Sequence, residues 1–266
     1  MRRLHSDSNS LLRQLRAFMF AVSCASVCFA APAFAQQAAK PQELNLYTTR
    51  EPGLIQPLLD SFSRDTGIKV NTVFLRDGLL ERVNAEGERS PADLLMTVDS
   101  GNLIQLVQGG ATQGVRSKIL ESSIPPHLRG KTGHWFALSL RDRVLYADKS
   151  LKLKNFRYED LAKPEWKGKV CIRSGQHPYN TSLIAAMLAH RGEEQRAWGD
   201  AIQVVRPVFA GGGTHVNISG AAVAKHAPNR ANAVKLLEYL MSDRAQSLYA
   251  KANFEYPVTR GVQLDP

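Results

Sequence analysis

No two of the chain's seven tyrosines are neighbours: Tyr47, Tyr146, Tyr158, Tyr179, Tyr239, Tyr249 and Tyr256 each stand alone. Cysteine is nearly absent after the first 35 residues. Cys171 is the only one there, so that part of the chain can close no internal disulfide. There is no Gly-x-Ser-x-Gly, no phosphate-cradling glycine loop and no His-Glu-x-x-His. These gaps remove the usual signatures of serine hydrolases, P-loop nucleotide binders and zinc proteases. Gly211-Gly212-Gly213 reads only as a turn. Repeats, low-complexity tracts and Gly/Ser linkers are missing, and no apolar run after the N-terminal segment is long enough to span a bilayer.

What the chain does have begins with a leader. Arg2, Arg3, Arg13 and Arg16 precede an apolar stretch, Ala17–Ala30, and Ala33-Phe34-Ala35 is a small-x-small site. This pattern predicts export to the periplasm with cleavage after Ala35, and residues 1–35 are set aside as a signal peptide. The competing readings are a membrane anchor and a lipoprotein. The stretch is short for the first, and Ala21-Val22-Ser23 before Cys24 is a poor lipobox for the second. The 231 residues that remain carry a net charge of +7, since the leader removes four arginines and one aspartate. Their basic residues are scattered, without aromatic interleaving. An anion-friendly cleft fits that distribution better than a nucleic acid does.

Leu44–Tyr47 is a short buried strand by pattern. After the turn Thr48–Gly53, Leu54, Ile55, Leu58, Leu59 and Phe62 fall on one helical face, which Gly67 closes. Strands are expected at Ile68–Leu75, Ala92–Val98, Trp135–Leu140, Val144–Ala147, Lys169–Arg173 and His215–Val223. Helices are expected at Gly78–Glu88, Gly101–Gln108 and Tyr158–Trp166, from Thr181 to about His190, from Asn229 or Arg230 to Met241, and from Ser242 to about Lys251. The alternation points to an α/β fold with a parallel sheet covered on both faces. Cys171 is expected inside a buried strand, as a small core residue.

Several blocks carry a family resemblance: LNLYTTREPGLIQPLLDSF, SPADLLMTVDSGNL, HWFALSLRDRVLYADK, WKGKVCIRSGQHPYN, GGTHVNISGAAVAKHAPN and ANFEYPV. In this order they are similar to the ferric-iron-binding substrate proteins of ABC transporters. The resemblance implies a type II periplasmic binding fold, with two lobes around a cleft. Residues 36–138 and 214–240 would form lobe one, 139–213 lobe two, and 241–266 a C-terminal helix and tail packing back across lobe two. The match breaks between Glu194 and Gln195, where several dozen residues of family pattern are missing. A tyrosine pair belongs in that stretch, so lobe two is expected to be truncated.

Fe(III) is a hard ion that wants anionic oxygens, and phenolates suit it. The resemblance makes Tyr179, in Gln176-His177-Pro178-Tyr179-Asn180, the isolated tyrosine ligand; otherwise it is an ordinary cleft-edge tyrosine. It also implies a synergistic, carbonate-like anion. Arg50, Arg141 and Arg143 align with anion-facing arginines, and Ser174, Gly175 and Gln176, with the helix expected to be capped by Thr181, could add backbone N–H donors. For the arginines the alternative is plain surface solvation. His177 is read as a solvated loop residue, His215 and His226 as structural, and Tyr47 as core. The expected function is that of an exported, monomeric binding protein, not an enzyme, that hands ferric iron to an inner-membrane ABC permease without contacting nucleic acid. The alternative is a degenerate module that takes an anion or no ligand; a periplasmic hydrolase on the same scaffold is disfavoured by the missing nucleophile–base pattern.

Overall fold

The computed structural model describes residues 42–262, apart from 149–150, 152, 154, 175–176, 192–207, 210–212 and 254. The expected cleavage site, the Glu194–Gln195 join, Gly175 and Gln176 therefore lie outside the described residues.

Strand β1 (Glu43–Thr48) pairs in parallel with β2 (Lys69–Phe74) on one side and β3 (Leu94–Thr97) on the other. Side chains alternate across a strand, and here both faces are covered. Leu44, Leu46, Leu94 and Met96 belong to one buried cluster, while Tyr47, Leu95 and Ala92 belong to a second on the opposite face. The near-continuous apolar run of β1 and β3 follows from that double burial.

Helix α1 (Pro52–Thr66) connects β1 to β2. Proline at its start fits a position whose N–H has no partner in a helix anyway, and Ile55, Leu58, Leu59 and Phe62 face the first cluster. Gly67 ends it in the left-handed conformation, φ 70°, and donates its N–H to Ser63 O at 2.9 Å. Helices α2 (Leu79–Glu86), α3 (Ser100–Gln108) and the short α4 (Lys118–Ser123) follow. Asp99 caps α3 by accepting from Asn102 N at 2.8 Å.

The second half of the sheet departs from the parallel expectation. Strand β5 (Val216–Val223) lies antiparallel between β3 and β4 (Phe136–Asp142), and β6 (Tyr256–Pro257) adds to the outer edge of β4. The order is β2-β1-β3-β5-β4-β6. β5 returns from the second part of the chain and enters beside β3 from the opposite end, which fixes its direction. β4 also runs past Leu140, where the strand was expected to end: Asp142 still pairs with Val216, after an irregularity between Ala137 and Ser139. Helices α6 (Arg230–Leu240) and α7 (Asp243–Asn253) complete the layer over the first cluster. Contacts with α1, β4 and β6 place α7 against the main sheet.

Residues 143–213 hold a small core of Phe156, Tyr158, Leu161, Trp166, Leu183 and Phe209. Phe156 and Trp166 meet edge to face at 5.4 Å, and Tyr158 lies 5.1 Å from Phe209. Among the described residues of this part no strand ladder forms; Arg157 and Val208 make a single parallel bridge. Val144–Ala147 and Lys169–Arg173 are accordingly not strands. Without a neighbouring strand, Lys169 N donates to Trp166 O and Arg173 O accepts from Asn180 Nδ2, and Cys171 is exposed, contrary to the expected core position. The 14-residue helix α5 (Pro178–Arg191) begins three residues before Thr181. Thr181 therefore lies inside it, with its N–H and hydroxyl both donating to His177 O, and is not the cap.

Candidate anion and metal site

The end of β4 and the first turn of α5 meet at Tyr179. Arg141 and Arg143 are two apart on an extended segment, so their side chains leave the same side of it. Arg141 Nη1 donates to the Tyr179 phenol oxygen at 2.6 Å, and its Nη2 donates to Val98 O. Arg143 donates to the Tyr179 backbone carbonyl. Both guanidiniums also lie over the ring, 4.7 and 6.0 Å from its centre. A cavity of about 140 Å³ opens here, lined by Arg141, Asp142, Arg143, Tyr179, His215 and Asn217.

His215 and Asn217 were not read as site residues. They are buried, alternating with exposed Val216 and half-buried Ile218 at the start of β5, and the sequence pattern there signals a strand only. His215 is buried, and its Nε2 has no hydrogen-bond partner. Burial first, and Arg143 second, push its pKa down to about 4, so the ring is neutral at pH 7. His177 stacks edge-on against Tyr179 at 4.7 Å. Its Nδ1 accepts from Tyr179 N at 3.2 Å and its Nε2 lies 2.8 Å from Arg173 Nη1, so both ring nitrogens are engaged. Burial, then Arg173 and Arg143, lower its pKa.

The other expected contacts are placed differently. Ser174 is exposed, and its carbonyl accepts from His177 N and Asn180 Nδ2, closing the loop before α5. Arg50 is only 2% exposed and does not line the cavity. Its fork is filled by Glu255, Nη1 to Oε1 at 2.9 Å and Nη2 to Oε2 at 3.2 Å, with Ser219 as a further partner. Tyr47 is core, as expected, with its hydroxyl on Glu86 at 3.0 Å.

Charge and donor type decide what this cavity suits. Tyr179 is the one phenol in its wall, beside one carboxylate, one neutral imidazole and two guanidiniums. Tyr158 lies nearby, but burial pushes its pKa up to about 12 and its hydroxyl donates to Arg143 O at 3.2 Å. Among the described residues no three His, Cys, Asp or Glu side chains group to hold a metal ion. A bare trivalent cation finds one phenolate and net positive surroundings here. An oxyanion, or an iron ion already wrapped in carboxylates, finds two forks.

No family model matches the chain. It is 37% identical over 281 positions to Iron uptake protein A1 of Synechocystis sp., covering 84% of this chain and 78% of that one. The chain belongs to the periplasmic ferric-iron-binding proteins. Among solved structures of this family, the Bordetella ferric binding protein is 59% identical, with a TM-score of 0.73 over 84% of this chain and 88% of its own. A Trichodesmium protein in complex with iron and citrate is 35% identical, with a TM-score of 0.72 and the same coverage of both chains. The mixed α/β sheet is thus that of a type II, two-lobe binding protein. The Synechocystis alignment spans 281 positions but takes in 84% of 266 residues, about 223, so about 58 positions of that relative have no counterpart here.

Proposed function

We propose that this chain is the exported substrate-binding protein of an Fe(III) ABC importer, and that in its present form it takes iron as an anionic complex, the anion seated on Arg141 and Arg143 and the metal on Tyr179. The observation that carries this reading is Tyr179 on the wall of a cavity, its phenol bonded by Arg141 and its backbone carbonyl by Arg143, in a member of the ferric-iron-binding family. Arg141 already donates to the phenol oxygen. An incoming oxyanion that draws this guanidinium toward itself frees the oxygen for a metal and cancels the positive charge that repels it. A cavity of about 140 Å³ admits a carbonate or one carboxylate arm of a larger chelator such as citrate. The chelator's other oxygens can then complete the coordination that a tyrosine pair supplies elsewhere in the family.

Delivery to an inner-membrane permease, a periplasmic location after cleavage at Ala35, and a monomeric state belong to the same reading. The alternative is a module whose iron site has decayed. The uncounterparted positions, and the absence of a strand ladder among the described residues of 143–213, support a deletion at Glu194–Gln195. Titration calorimetry with citrate and with ferric citrate separates the two. Binding of both, lost in Arg141→Gln/Arg143→Gln, supports the importer reading. Binding of neither supports decay. Sequencing the gene across the Glu194–Gln195 codons tests the deletion itself, since several dozen reappearing codons would restore the tyrosine pair and a full second lobe.

A further inference from the structure

The buried carboxylate of Glu255 is the least expected feature near the cavity. It lies between α7 and β6 and is 5% exposed. Two arginines share it: Arg50, held by both Nη atoms, and Arg141, whose Nε lies 3.6 Å from Oε1. The hydroxyls of Ser139 and Ser219 donate to Oε2. One residue on, Tyr256 pairs with Leu140, the strand neighbour of Arg141. Glu255 therefore touches the β1–α1 turn, β4 and β5 at once.

This arrangement sorts the two arginines. Arg50 engages both Nη atoms with Glu255 and Ser219, keeps only a buried Nε without a partner, and does not line the cavity. Arg141 meets Glu255 only through its stem-side Nε, which has no hydrogen-bond partner. Both of its Nη atoms remain forward, one on Tyr179 and one on Val98 O. We propose that Glu255 is a positioning residue of the ligand site, which absorbs Arg50 and aims Arg141 at Tyr179 and the bound anion. This rests on the reading that the cavity takes an anion.

Charge alone predicts the opposite of positioning, and that makes the test sharp. Glu255→Gln removes a negative charge near the cavity, so a purely electrostatic role would tighten anion binding. Positioning predicts looser binding. In calorimetric titrations of the full mature protein with citrate at pH 7, Glu255→Gln is expected to weaken binding about tenfold, and Glu255→Asp to recover part of it. Equal or tighter binding in a folded Glu255→Gln protein overturns the proposal. If that variant does not fold, Ser139→Ala, which removes one donor to the same carboxylate, is expected to weaken citrate binding several-fold, and to have no further effect in an Arg141→Gln background. An unchanged affinity in Ser139→Ala, or an equal loss in both backgrounds, overturns it as well. Wild-type protein that binds neither citrate nor ferric citrate removes the underlying reading and this inference together.

Discussion

His215 should make the protein lose stability in mild acid, a window that opens at the same upper edge as that of His177, whose pKa is also lowered. It is 8% exposed, and its carbonyl accepts from Arg143 N at 3.0 Å, which fixes the ring's place at the head of β5. Burial and the Arg143 charge depress its pKa from 6.5 to about 4. The unfolded chain binds a proton at this residue below pH 6.5, and the folded protein does so only below about 4. Between those values the unfolded state holds more protons, so stability falls as pH falls. The contribution is fully present above pH 6.5 and is lost at about 1.4 kcal/mol per pH unit, reaching roughly 3 kcal/mol at the lower end. Asp160, lowered to about 2 by donors from Arg157 and Lys163 that outweigh its burial, acts only below 3.8 and lies outside this window. Urea unfolding of wild type and His215→Gln at pH 7.5, 6.5, 5.5 and 4.5 isolates the effect, because groups common to both proteins cancel in the difference. Wild type should lose about 2 to 3 kcal/mol more than the variant across the series. Parallel pH slopes for the two proteins would show that His215 is not held neutral by its surroundings.

The parts of the fold legible in sequence are those with local causes. Pro52, the i, i+3, i+4 spacing of Ile55, Leu58, Leu59 and Phe62, and Gly67 bound α1 within a few residues of one another. The parts that escaped depend on distant partners. Lys169–Ile172 has strand composition, but a strand exists only where another chain segment offers it a ladder, and none does among the described residues. The antiparallel half of the sheet depends on where β5 enters, which no window around Val216 records. The site divides the same way. Tyr179, Arg141 and Arg143 were named through a family motif and converge. Arg50 sits in a motif that matches equally well, but its fork belongs to Glu255, 205 positions away. An isolated glutamate in Asn253-Phe254-Glu255-Tyr256-Pro257-Val258, amid apolar neighbours, was the available hint, since a charge in such a run needs a partner. His215 looked structural because one strand can both fill a core and line a cavity.

The remaining predictions concern a turn, a phenol and the metal. Gly133→Ala should destabilise by more than about 2 kcal/mol in urea unfolding, because φ is +74° and the added Cβ meets the Val115 carbonyl oxygen. Tyr158, with its pKa raised to about 12 chiefly by burial, should hold full stability below pH 10 and lose it as pH rises toward 12; Tyr158→Phe should flatten that alkaline slope, and an unchanged slope counts against the burial argument. For the metal, ferric citrate should give a complex coloured only by a single phenolate. Visible absorption in such sites comes from charge transfer between phenolate and iron, and Tyr179 is the one phenol in the cavity wall. Whatever band does appear should vanish in Tyr179→Phe, while citrate still binds with heat, because its partners are the guanidiniums of Arg141 and Arg143 and not the phenol. Loss of both signals in Tyr179→Phe would mean that the phenol holds the arginines rather than the iron. A strongly coloured, tight one-to-one complex that survives the substitution would place the iron on other oxygens altogether.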